Sequence, residues 1–550
     1  MTTAIASTPR ARVFRPTDGA EPASDPLQPD AIPAHADLLK SIQGNMLKAH
    51  GRSFVRLVLF RFDAGINGAA LRALLADAVS DTNADAVGTT WKVTSAYQQW
   101  DEARHKAFAA DQPFYSLGLS YQGLRRCGYP EAQLPLSDVE RPPRSTGFGA
   151  AMNDPAVAGT LGDRVSPTEP TLPDWEKTYR EGVDGVWLLA HADPAQLGAM
   201  ERRVTDFLVA HHAHPVAVES GGDWTDVHGH PREPFGFRDG ISDPIFFHRD
   251  CQQDAAGDSW VPAWVNIPRR QVLITGGPHA GGSFLVLRKL EQNVTAFREL
   301  EQAIQHSFGD PAPGAVLPRE AGALLIGRER DGSPLAEPAG PSDQNIDQGG
   351  PNRFDFGTGE ARCPFHAHIR KSAPRVPVAP PAPPPALHWE VPDARSALFV
   401  RRSAVYDTYG QLPPSGTLTD DPAAPAAVRS NSYASRHGGD LTREVGLLFM
   451  GYMSNIVAQF QKLQSDWFGS LGFPCDEARL ADPVIRPDAT VGSADVPRWR
   501  WPMLPRANVT LPPVVTPRGG AYFYVPSITW LRQQTPPPAD GTPGPEVTEP

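Results

Sequence analysis

The sequence predicts an α+β protein in which antiparallel sheets carry peripheral helices. Two observations predict it. Apolar, strand-like runs are each followed by a stretch with helical spacing, and this pairing recurs in both halves of the 550-residue chain. A hydrophobic fraction of 40% beside a charged fraction of 21% is ordinary for a globular chain. No short-period repeat of the solenoid kind is visible.

The elements follow in order. Residues 1–35 are rich in Ala, Pro and Asp without periodicity and read as a mobile arm. Phe54–Phe62 is strand-like, with Val55, Leu57 and Leu59 on one face. Leu71, Leu74, Leu75 and Ala78 then recur at helical spacing. Phe114–Tyr121 is a second strand leading into a short helix at Gln122–Cys127, and Val186–His191 is a third. Its helix carries Leu197, Met200, Val204 and Phe207. In the second half, the strand Ser283–Arg288 precedes a helix with Val294, Phe297, Leu300 and Ile304. The strand Gly446–Tyr452 precedes another with Met453, Ile456, Val457, Phe460 and Leu463. Pro374–Pro385 is proline at most positions and reads as extended chain. Residues 534–550 read as a second disordered segment.

A net charge of −11 argues against a nucleic-acid partner, which calls for a basic face. No run of about 18 apolar residues is present, so no membrane span is expected. The N-terminal stretch has neither an apolar signal core nor a twin-arginine pair, which predicts a cytoplasmic protein. Cys127, Cys251, Cys363 and Cys475 lie far apart, without the paired spacing of a disulfide framework or a zinc site.

Three segments carry candidate chemistry. The first, Glu233–Pro244 (EPFGFRDGISDP), reads by itself as a turn, because Asp-Gly is a strong turn dipeptide. It also sets the carboxylate of Asp239 between Gly236 and Gly240, residues that allow positive φ and close backbone approach to a ligand. The glycine spacing of a phosphate-binding loop is missing. The second, Ala361–Lys371 (ARCPFHAHIRK), offers His366 and His368, which would share one face of a strand. One imidazole on iron is the commonest haem anchor in peroxidases, and composition does not choose between the two. The third, Ala397–Gly410, ends an apolar run in Arg401 and Arg402. Its plain reading is a strand end with solvated arginines. Its functional reading is a guanidinium facing an anion or a peroxide.

In this order the three segments resemble the dye-decolourising peroxidase family, in the subtype of its larger members. The GxxDG motif is matched at Gly236–Gly240, and the axial-histidine string at Cys363–Lys371. Further stretches are similar, among them Ser41–Arg52, Gly282–Val294, Leu325–Leu335, Gly446–Ile456 and Gly519–Leu531. The resemblance spans residues 38–532.

It implies two ferredoxin-like halves, of the dimeric α+β barrel type, taken as residues 36–222 and 223–533, with one haem b in the second. The proline-rich stretch 374–385 is then an insertion, and Ser403 departs from the glycine common after the arginine pair. The implied site has His368 as axial iron ligand, Asp239 as acid–base and Arg401 as charge stabiliser, with Arg402 as fallback. Leu447 and Phe449 would wall the pocket, with Gly236 and Gly240 beside Asp239 and Arg370 meeting a haem propionate. Asn455 is the expected acceptor for the second nitrogen of the axial histidine. The implied reaction reduces hydrogen peroxide and oxidises aromatic donors such as dyes and phenols by one-electron steps, with an acidic pH optimum. The alternative is a haem carrier or iron-releasing protein on the same scaffold, which has no use for the pair Asp239 and Arg401. Oligomeric state and physiological donor stay open.

Overall fold

Nine strands join one sheet that closes on itself, which removes most free edges. The computed structural model of the chain describes residues 26–80, 95–104, 112–135, 147–163, 173–226, 229–251, 267–336, 354, 356, 359–375, 395–407, 445–474, 479–486 and 497–534. In the first half β1 (Phe54–Phe62), β2 (Phe114–Leu119), β3 (Gly185–His191) and β4 (Ala213–Gly222) stand in the order β2-β3-β1-β4. In the second half the strands are β5 (Ser283–Gln292), β6 (Val400–Arg401), β7 (Ala404–Asp407) and β8 (Val445–Met453). A hairpin of β9 (Arg498–Trp501) and β10 (Leu504–Thr510) stands apart, and β11 (Val515–Val525) completes the sheet.

The order β7-β8-β5-β11 repeats that of the first half, so each half is ferredoxin-like and the fold class is as expected. Two seams join the halves: Gly222 of β4 faces Val405 of β7, and Leu119 of β2 faces Tyr524 of β11. One apolar core runs across both halves, and a second lies around Phe297, Trp499 and Trp501.

Helices cover the outer faces for reasons visible in the chain. In Pro194–Ala210 the Asp193 carboxylate caps the Ala195 N–H, Pro194 suits the first turn, and Leu197, Met200, Val204 and Leu208 form the buried stripe. In Val294–Gln305, Asn293 caps the Ala296 N–H, and Val294, Phe297, Leu300 and Ile304 are buried as their spacing predicts.

Several boundaries differ from expectation: β2 ends at Leu119, two residues before Tyr121, and Met453, expected on a helix, ends β8. β5 runs four residues past Arg288, because the charges there are neutralised inside: Arg288 donates to Asp163 at 2.8 Å and Lys289 meets Glu219 at 2.9 Å. Residues 26–35, expected in a mobile arm, carry one buried anchor and the start of a helix. Leu27 is buried in a bridge with Phe247, and a helix begins at Pro33. Residues 1–25, 376–385 and 535–550, expected to be arm, proline-rich insertion and tail, lie outside the described residues. Among the described residues no helix is long and apolar enough to cross a membrane.

Candidate active site

A cavity of about 640 Å³ opens between β8, the helix His368–Ser372 and the loop around Ser242. On β8, Leu447 and Phe449 point into it, while Leu448 and Met450 turn into the core. The two-residue period of a strand produces this division, as the sequence suggests.

The structure separates the two histidines. They do not share a strand face, because Ala367 caps a short helix that starts at His368. His366 is buried with its ring 5.9 Å from that of Trp499, and desolvation pushes its pKa down to about 3. His368 lines the cavity, and its Nδ1 pairs with Asp482 Oδ2 at 2.7 Å. The other oxygen of Asp482 accepts the N–H groups of Val484 and Ile485 at 2.9 and 3.0 Å. Burial by itself would raise this carboxyl. The nearby His368 and these hydrogen bonds outweigh it, and the carboxyl is held below its ordinary range. An anionic acceptor on Nδ1 fixes the tautomer that leaves Nε2 as the ligating nitrogen. Asn455, the expected acceptor, instead caps the Ala458 N–H at 3.0 Å. The sequence signal for Asp482 is slight: an Asp-Pro dipeptide in a loop remote from the histidine string.

The loop carrying Asp239 is anchored from behind. The buried end of Glu233 accepts the N–H groups of Phe235 and Phe237, and Phe235 stacks on Phe297 at 4.1 Å. Gly236 and Gly240 take φ of 95° and 73°, the left-handed values that suit glycine. They shape the turn and are not among the cavity-lining residues. Asp239 is exposed and is not among the cavity-lining residues; it lies within electrostatic reach of Arg401, which does line the cavity. Desolvation raises its carboxyl, against the opposing effects of Arg401 and of the Gly240 N–H on Oδ1 at 2.7 Å. Asp223 is a second carboxyl that the sequence did not single out. Its own burial and the charge of Asp239 push it up to about 6.

Arg401 lines the cavity, while the side chain of Arg402, just past the end of β6, is buried and is not among the lining residues. Arg370 does not reach the cavity. Its guanidinium donates to the Cys363 and Gly359 carbonyls at 2.6 and 3.0 Å and lies over the Phe365 ring at 4.2 Å. The expected propionate contact is therefore corrected: a helical residue two places past His368 points into the core. Arg328 and Arg375 line the cavity instead, on the ring of Phe354 at 5.1 and 4.1 Å.

These residues fit a haem. The volume lies within the range of about 300–1,000 Å³ typical of cofactor sites. Leu447, Phe449 and Ile369 supply apolar walls for a flat ring, His368 is an oriented imidazole, and Arg328 and Arg375 are cations for carboxylates.

No family model matches the chain. The multifunctional dye peroxidase DyP2 of Amycolatopsis sp. (strain ATCC 39116 / 75iv2) is 30% identical over 507 residues, covering 90% of this chain and 96% of that protein. The solved DyP-type peroxidase of Anabaena sp. superposes with a TM-score of 0.70 at 25% identity, over 94% of this chain and 98% of that one. The solved structure of DyP2 from Amycolatopsis sp. ATCC 39116 gives 0.68 at 28% identity, over 93% and 100%. With its fold shared along nearly the whole length and its relatives named for peroxidase activity, the chain belongs to the dye-decolourising peroxidase family and is a peroxide-dependent oxidoreductase.

Proposed function

We propose that the cavity holds one haem b on His368, and that the protein uses it to reduce hydrogen peroxide and oxidise aromatic donors such as dyes and phenols in one-electron steps. The observation that carries this reading is the His368–Asp482 pair facing a cavity shared with Arg401. The C-terminal half, residues 223–533, contributes His368, Asp482, Asp239, Arg401, Leu447 and Phe449, and we read it as the haem-binding domain. When bound, the haem iron supplies the centre at which peroxide is reduced and the oxidising equivalents that donors then consume.

The chain's own groups do the rest. His368 Nε2 would hold the iron, and Asp482 keeps the imidazole oriented and electron-rich. Arg328 and Arg375 would hold the haem carboxylates. Asp239 accepts a proton from peroxide and returns it to the departing oxygen. Oδ1 is engaged by Gly240, so Oδ2 is the atom that carries the proton. Arg401 stabilises the negative charge that builds as the peroxide bond breaks. Such acid–base work contributes about 10²- to 10⁴-fold in rate.

The test is a set of three variants. Asp239→Asn should retain the Soret band and react with peroxide about 10²- to 10⁴-fold more slowly. His368→Ala should lose or weaken haem binding, and His366→Ala should not. Haem loss only in His366→Ala would move the ligand, and an unchanged peroxide reaction in Asp239→Asn would remove that residue from the mechanism. Absence of a Soret band after haem reconstitution of the unaltered protein would reject the reading altogether.

A further inference from the structure

We infer that Asp243 is a positioning residue that ties the cavity guanidinium of Arg401 to the immobile, buried Arg402; the inference rests on the reading of Arg401 as the charge-stabilising group. Arg401, the last residue of β6, lines the cavity, whereas Arg402, just past the strand end, does not and is buried. A single carboxylate reaches both. Asp243 Oδ2 accepts from Arg402 at 3.0 Å, and Asp243 Oδ1 faces Arg401 Nε at 3.4 Å.

The Arg402 end is the fixed one. Its side chain is 6% exposed. It donates to the Asn45 carbonyl at 3.0 Å and to the Arg401 carbonyl at 2.8 Å, and its backbone N–H donates to Met450 on β8 at 2.8 Å. Asn45 is itself pinned, its N–H donating to Gln99 at 2.8 Å. A desolvated cation needs an anion close by, and Asp243 is the carboxylate that meets Arg402.

The Arg401 end is looser. Its side chain is 43% exposed, and besides Asp243 it reaches Ser242 Oγ at 3.3 Å. Asp243 Oδ1 is buried and accepts no hydrogen bond among the described residues. One carboxylate does not neutralise two guanidiniums, so Asp243 leaves Arg401, the cavity-side member, only partly offset. The arrangement holds Arg401 in place without cancelling it. It also puts the tether four residues after Asp239 in the same loop, so the proton acceptor and the cation are set by one piece of backbone.

Fluoride affinity of the ferric, haem-loaded protein reads this directly, because a small anion in the pocket depends on a correctly placed cation. It is measured by absorption titration, with the Soret band and thermal midpoint as controls for an intact fold. Asp243→Asn removes the charge and turns an amide N–H₂ toward one of the guanidiniums. It should weaken fluoride binding by about tenfold, and Asp243→Glu should recover part of the loss. Arg401→Leu should weaken binding at least as much, and adding Asp243→Asn to it should cost nothing further. Wild-type affinity in Asp243→Asn, or a full additional loss on the Arg401→Leu background, overturns the tether. Wild-type fluoride affinity in Arg401→Leu overturns the reading of Arg401 itself, a separate result. Should Asp243→Asn not take up haem, Arg402→Met probes the same link from the other end. Asp243 is then left wholly to Arg401, and fluoride binding should weaken, but only while Arg401 is present; unchanged binding overturns the tether.

Discussion

Asp239 shows how environment decides what a carboxylate can do. In the proposed role of base it must be ionised, so the peroxide step should lose rate as pH falls through its pKa. Desolvation holds that pKa above the ordinary range, and the charge of Arg401 restrains the rise. The acid limb of the pH profile should therefore lie higher than an ordinary carboxylate would give. Arg401→Leu removes the restraint, so the limb should move to still higher pH. Stopped-flow measurement of the peroxide reaction across pH reads this, and a limb displaced to lower pH would contradict the opposition of the two groups. Little of this balance is legible in the sequence. The motif order brought out Asp239, Arg401 and His368; the cavity is lined by His368 and Arg401, while Asp239 is exposed outside that lining, within electrostatic reach of Arg401. Asp482 escaped, because its pairing with His368 spans 114 positions and is made only by tertiary folding. Arg370 misled, because its charge is consumed by carbonyls and aromatic faces inside the core.

At the level of elements, the histidine string is held by a lysine whose role only the fold discloses. Lys371 is fully buried, and its ammonium donates to the carbonyls of Trp467, Ser470 and Phe473. It thus caps the helical segment Leu463–Phe468, whose last residue packs its ring 5.2 Å from His368. Lys371→Met keeps the stem and takes a donor from all three carbonyls; that of Trp467 still accepts the Gly469 and Ser470 N–H groups, so two are left unsatisfied. Each buried unsatisfied group costs about 1–3 kcal/mol, so the variant should lose at least about 2 kcal/mol of stability. Chemical denaturation measures the loss, and a change under about 1 kcal/mol would show that water serves these carbonyls equally well. Sequence reading was strongest at this scale where one apolar face is buried: Val294, Phe297, Leu300 and Ile304 were legible from spacing alone. It was weakest where charge is buried. Arg288 and Lys289 seemed to close β5, and the strand continues through them because Asp163 and Glu219 await them across the core.

Over the whole molecule, pattern reading reached two related halves but could not reach their closure, since seam partners have no local signature. Both seams are ladders reduced to one registered pair, and both are made by close approach at glycine. A Cβ at Gly221 would stand 3.0 Å from Ala404 Cβ and 3.1 Å from the Val405 carbonyl, and one at Gly118 would stand 3.0 Å from Phe523 Cβ. The larger core is built from residues of both halves, while a smaller one belongs to the second half. The halves should therefore unfold together. Heating the haem-loaded protein should give coincident midpoints for the far-ultraviolet circular dichroism of all strands and for the Soret band, which reports on the proposed haem site. Gly221→Val forces bulk into a seam against backbone that cannot yield, at about 1–3 kcal/mol, and should lower both midpoints equally. A Soret transition that stays at its wild-type temperature while the dichroism falls in two steps would show that the halves are separate folding units joined only by contact.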